Sequence, residues 1–121
     1  MFSDTDRIVR RLQSDRLKAA FIIQLVAMTT GVPAREIVYC SRRGGPASRA
    51  RQIAMYLAYV IFQWPLHRVG QAFGRDRTTA GYACRNVEDL RDDPDFDAEL
   101  ERMEACLKAS PADPAWLEEG A

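Results

Sequence analysis

Residues 75–79 read Arg-Asp-Arg-Thr-Thr, five consecutive side chains that all make hydrogen bonds. An arginine fork suits phosphate or guanine, aspartate accepts from the amine of cytosine or adenine, and threonine offers a hydroxyl beside a methyl that fits thymine. The next residues turn apolar at helical spacing. If Ala80, Ala83, Cys84 and Val87 face inward, then Thr79, Tyr82 and Asn86 fall on the opposite face. The free amides of such a helix start also favour a phosphate. The same residues equally suit an ordinary helix start, with Asp76 as its N-cap. Gly81 costs this helix about 1 kcal/mol relative to alanine, so it is either required by close packing or simply tolerated.

These side chains need positioning elements. Leu66, Val69 and Phe73 form one stripe, which predicts a short helix over 65–73 that stops at Gly74. A turn of about three residues and a helix from about Thr78 to residue 90 complete a helix-turn-helix layout. Before it, Ile53, Leu57 and Ile61 mark a helix from about Pro46 to Ile61, broken by "FQWP". "SRRGGPAS" is a loop entered through paired arginines, and "PAREIVYC" a short helix with Pro33 in its first turn. Nearer the start, residues 4–13 suit a helix with Ile8, Val9 and Leu12 inward. Ser14 suits the N-cap of a second helix, apolar nearly all round at Phe21, Ile22, Leu25, Val26 and Met28. A last helix carries Phe96, Leu100, Met103 and Leu107 on one seam, and "ASPADPAWLEEGA" reads as a loosely held tail. No stretch alternates as a strand would. The expected fold is all-α, a single domain over 1–121, built as a compact bundle of about six helices containing the helix-turn-helix.

Charge separates along the chain although it sums to zero. Residues 1–85 hold 14 Lys and Arg against 5 Asp and Glu, whereas residues 86–121 hold 3 against 12. Arginine outnumbers lysine 15 to 2, which favours planar, bidentate recognition. The longest apolar run spans ten residues and contains Gln24, short of the ~20 that a membrane span needs. Cys40, Cys84 and Cys106 lack metal-type spacing, so reduced, packed thiols in a cytoplasm are expected, with no metal or other cofactor. His67 is the sole histidine, and no nucleophile–base pattern supports an enzyme.

Several motifs in order resemble the C-terminal DNA-binding domain of the bacterial replication initiator DnaA. Arg51–Leu57 matches its Arg-Gln-x-Ala-Met-x-Leu helix and Leu66–Gly74 its Leu-x-x-Ile-Gly-x-x-Phe-Gly helix. Arg75–Thr79 matches Arg-Asp-His-Thr-Thr, and Ala83–Arg85 matches Ala-Cys-Arg. With the similar upstream stretch "IQLVAMTTGVPAREIVYCSRR", the resemblance covers about residues 20–90, leaving an acidic helix and tail over 91–121. It implies that Asp76, Arg77, Thr78 and Thr79 meet bases and phosphates in the major groove of double-stranded DNA. It places Arg43, beside Arg42, in the adjacent minor groove, where A·T-rich sequence attracts arginine. His67 falls where the family often has a proline touching a base methyl, and Arg49, Arg51 and Arg85 lie toward phosphate. Arg75, within the 75–79 cluster, and Tyr82, on the face that the spacing gives, complete the candidate DNA-binding residues. Three departures bear on base preference: Arg77 replaces the family's histidine, the second glycine before Arg75 is absent, and Gly81 stands where a larger apolar residue is usual.

No Gly-x-x-x-x-Gly-Lys-Ser/Thr stretch is present to hold a nucleotide. The expectation is therefore a nucleoid-associated, sequence-specific binder of the initiator's boxes, an accessory regulator of replication initiation or transcription without ATPase activity. The full-length initiator is its expected protein partner. The alternative is a protein-interaction module that kept the fold and lost specific DNA binding, using its acidic third or Trp116 to dock.

Overall fold

Ser3 opens the first helix through a reciprocal cap. Its Oγ accepts from the Asp6 amide while its own amide donates to Asp6 Oδ2, both at 3.2 Å. The helix then runs unbroken to Gly31, whose left-handed φ of 79° lets its amide close onto the Ala27 carbonyl. The computed structural model describes residues 3–41 and 43–109. Its elements are α1 (Asp4–Thr30), α2 (Ala34–Tyr39), α3 (Gly45–Ile61), α4 (Leu66–Phe73), α5 (Arg77–Leu90) and α6 (Pro94–Ala109). The all-α bundle of six helices is as expected, and no strand occurs among the described residues.

The division of α1 differs from expectation. Ser14 is not an N-cap: it is buried mid-helix, and its hydroxyl has no partner there. The helix passes through because a serine costs little in a helix interior once its neighbours are packed. Ile8 and Val9 are not inward either, at 53% and 47% exposed, because the buried face of α1 begins only at Ser14. Met28 is likewise exposed, so the C-terminal half of α1 buries one face, through Ala19, Ile22, Ile23 and Val26. Pro33 sits at the N-cap of α2 rather than inside its first turn.

α3 is the axis of the bundle and touches all five other helices. Six consecutive residues, Ile53 to Ala58, are buried, which only a helix surrounded by others can achieve. The chain then turns at Phe62–Pro65 and tucks Trp64 into the core. α6 covers the far side through Leu100, Met103 and Leu107, with Phe96 half-buried, the seam read from sequence. Burial pushes the Cys84 thiol up to about 11, consistent with a packed, inert group. Cys40 is half-buried and Cys106 exposed, so the expectation of three packed thiols holds for Cys84 alone. The tail with Trp116 lies outside the described residues, as does Arg42. No described helix is long and apolar enough to cross a membrane.

Candidate nucleic-acid interface

The pair α4–α5 is joined by Gly74, Arg75 and Asp76. Gly74 takes the left-handed conformation (φ 70°) that ends α4, as glycine does at modest cost. Gly70 makes the turn possible in a second way. A Cβ there would lie 2.6 Å from the Arg75 carbonyl oxygen and 2.9 Å from that of Asp76, so backbone would have to move. The Arg75 amide closes the turn by donating to the Gly70 carbonyl at 2.8 Å. Gly81 is different: a Cβ there would meet Leu66 Cδ1 at 3.5 Å, an ordinary contact.

α5 presents the faces its spacing predicts. Ala80, Ala83, Cys84 and Val87 are buried, while Arg77, Thr78, Thr79, Tyr82 and Arg85 are exposed. Asp76 is the N-cap: its Oδ1 accepts from the Thr79 amide at 2.7 Å. That amide first, and the Thr79 hydroxyl second, hold its carboxyl below the ordinary aspartate value. The cap bond engages Oδ1, and a carboxylate can accept further bonds beyond it. Asn86 is half-buried and donates to Gln52 Oε1 at 2.7 Å, so it pairs with α3 rather than standing free beside Thr79 and Tyr82. His67 is exposed at the start of α4.

A broad open concavity of about 1380 Å³ runs beside the start of α5. It joins Thr78, Thr79 and Tyr82 of α5 to Arg75 of the turn, Arg49 and Arg51 of α3, and Arg43 of the preceding loop. Residues from four segments thus share one surface, larger than a usual small-ligand pocket. Asp76, Arg77, Arg85 and His67 are exposed outside its lining.

Two of the arginines do something that sequence reasoning missed. Arg51 Nη1 donates to the carbonyls of Ile37 (3.2 Å) and Cys40 (2.6 Å), the end of α2. Arg75 Nη2 donates to those of Val38 (3.2 Å) and Cys40 (3.3 Å). These are carbonyls that a helix end leaves without intrahelical partners. The partners lie 11 to 37 residues away, so no local pattern could reveal them. Burial first, then the neighbouring charge of Arg75, lowers the affinity of Arg51 for its proton. Phe96, Glu99 and Met103 of α6 also reach the concavity, which the family motifs do not cover.

Two helices, a three-residue turn between them and a polar, arginine-flanked start to the second define a helix-turn-helix module of the DNA-binding class. The family described as the bacterial dnaA protein helix-turn-helix matches residues 19–87, and the chain belongs to it. The chromosomal replication initiator protein DnaA of Psychromonas ingrahamii is 51% identical over 51 residues, covering 41% of this chain and 11% of that protein. That of Ralstonia nicotianae is 41% identical over 73 residues, covering 59% of this chain and 14% of that protein. A crystal structure of a DNA replication initiation factor superposes with a TM-score of 0.69 at 30% identity, covering 81% of this chain and 30% of that one. Replication initiator DnaA bound to AMPPCP and single-stranded DNA gives 0.68 at 30% identity, with the same coverage. This chain therefore spans a small fraction of its curated relatives' length.

Proposed function

We propose that this protein binds double-stranded DNA sequence-specifically at sites of the DnaA-box kind. The observation that carries the reading is the single concavity shared by Arg43, Arg49, Arg51, Arg75 and the polar start of α5. In this reading α5 enters the major groove by its first turn, where Arg77, Thr78, Thr79 and the carboxylate of Asp76 meet base edges. Arg43, with Arg42, enters the flanking minor groove. Arg49, Arg51, Arg75 and Arg85 supply the positive field that draws phosphate, with Tyr82 and His67 at the margins of the reading face.

What these 121 residues contribute is site occupancy, since they contain no phosphate-cradling Gly-rich motif. Occupancy suits an accessory regulator at the nucleoid, of replication initiation or of transcription, that meets the full-length initiator on shared sites. Pure competition lowers initiator occupancy by mass action, and contact between the two proteins raises it.

Duplex binding measured across a salt series tests the reading. The logarithm of the binding constant should fall linearly with that of salt concentration as arginines displace counterions, and a box duplex should outbind a scrambled one. No duplex affinity at low salt overturns it in favour of a protein-interaction module. Footprinting an origin with this protein, the initiator, and both together separates competition from contact.

A further inference from the structure

We propose that Arg75 is a positioning residue, whose side chain ties the Arg43 loop to the helix-turn-helix turn so that both reading elements move as one body. The inference deepens the DNA-binding reading and rests on it. Arg75 is anchored at both ends. Its amide is fixed to the Gly70 carbonyl inside the turn, one residue before the Asp76 cap. Its guanidinium reaches across to Val38 and Cys40, three residues before Arg43.

Among its described residues the loop shows no comparable restraint of its own. Past Cys40, no backbone–backbone hydrogen bond holds residues 41, 43 or 44 among the described residues. Gly44 and Gly45, where the loop runs into α3, both take positive φ, 73° and 85°, and both are exposed, with open space where a side chain would stand. The side-chain tie therefore sets where the loop begins. Arg51 secures the same Cys40 carbonyl from α3, so the end of α2 stays capped without Arg75. What Arg75 alone adds is the link to the turn. Nη2 serves both the Val38 and Cys40 carbonyls while Nη1 donates to the Gly74 carbonyl at 3.3 Å. The planar guanidinium is thus held across two nitrogens, which the single nitrogen of a lysine ammonium does not reproduce. A carbonyl leaves the arginine's full charge in place, so the tie costs the surface none of its positive field.

The test uses the full chain as wild type, Arg43→Ala, Arg75→Ala, Arg75→Lys and the Arg43→Ala/Arg75→Ala pair. Backbone NMR order parameters in the free protein should fall at Ser41, Arg43 and Gly44 in both Arg75 variants, from the rigid range toward the flexible one, with those of the core unchanged. Box duplexes with A·T or G·C pairs in the flank then read the consequence. Wild type should prefer the A·T flank by roughly tenfold, and Arg43→Ala, Arg75→Ala and Arg75→Lys should each lose that preference. The double variant should lose no more than either single one. A merely destabilised protein would weaken on both duplexes alike and keep its flank preference. Wild-type loop order parameters in Arg75→Ala overturn the proposal. So does rescue by Arg75→Lys, or equal multiplicative losses on both duplexes, either of which makes Arg75 a phosphate contact. If wild type binds neither duplex, the DNA reading itself falls, and the order parameters still decide whether Arg75 holds the loop.

Discussion

Arginines at the two sides of this bundle are held by different oxygens. Away from the concavity, Arg68 forks onto both oxygens of the buried Asp15 at 2.8 Å and lies over Trp64. Arg91 is gripped by Asp97, Glu104 and the Tyr56 hydroxyl, its charge more than balanced, which raises its hold on its proton. Beside the concavity, Arg51 and Arg75 are held by backbone carbonyls instead. A carboxylate fixes an arginine and cancels it; a carbonyl fixes it and leaves its positive charge uncancelled. One residue type thus builds the frame on one side and the field on the other. The cost is visible at Arg51, where burial first and the uncompensated charge of Arg75 second make the proton easier to lose.

The largest test of that contrast is Arg68→Ala. Asp15 has only 3% of its side chain exposed and would lose both bonds of its bidentate pair. Removing one partner of a buried pair leaves a charge without adequate solvation, at a cost of about 3 kcal/mol. Chemical denaturation should show this loss, while duplex affinity per folded molecule and its salt slope stay as in wild type. A reduced salt slope would mean that Arg68 contributes to the binding field, and the contrast between the two sides would fail.

Next in size is Gly70→Ala, placed where frame and field join. Its new methyl group would press on the carbonyls of Arg75 and Asp76, both backbone, so relief requires shifting the turn. Overpacking of this kind costs about 1–3 kcal/mol. Affinity should fall beyond what stability explains, because Arg75 and the Asp76 cap move together. A variant with wild-type Tm and affinity would show that the turn has slack enough to take a methyl group.

How much of this was legible in the sequence depends on how far apart the partners lie. The α4–α5 pair was readable because each signal is local: a stripe at Leu66, Val69 and Phe73, a stop at Gly74, a cap at Asp76 and inward Ala80, Ala83, Cys84 and Val87. Ser14 misled because its residue type suits a cap, while burial by distant helices decided its state. The true cap was also written locally, as Ser3 and Asp6 in a capping-box spacing with aspartate in the usual glutamate place. Ile8 and Val9 had helical spacing toward a partner that the first turns of α1 do not meet. The Asp15–Arg68 pair joins residues 53 apart, and no periodicity reports such a bond.

Asp76→Asn probes the field side without touching the frame. Asparagine caps a helix as well as aspartate, so Tm should hold. It replaces an acceptor-only carboxylate with a group that also donates, so preference at the contacted base pair should shift, by roughly tenfold. Unchanged discrimination between duplexes differing at that pair would reduce Asp76 to a cap. Lowered Tm together with unchanged discrimination would say the same and add that the charge matters to the helix start.

The smallest effect has the opposite sign. Gly81 is buried within α5, yet an added Cβ would meet Leu66 Cδ1 at 3.5 Å and Arg85 Nη1 at 3.8 Å, both comfortable. Gly81→Ala therefore removes the entropy that glycine loses in a helix without straining the α4 seam, a gain of up to about 1 kcal/mol. Tm should rise by a few degrees, on the order of 3–6 °C for a domain of this size. Duplex affinity should not change, because the methyl points into the frame and the first turn of α5 keeps its place. A fall in Tm would show that the seam tolerates nothing at this position, and Gly81 would then join Gly70 as a packing requirement. A rise in Tm accompanied by weaker binding would be more telling. It would mean that α5 needs the looseness of Gly81 to settle on its site, and that frame and field are not separable along this helix.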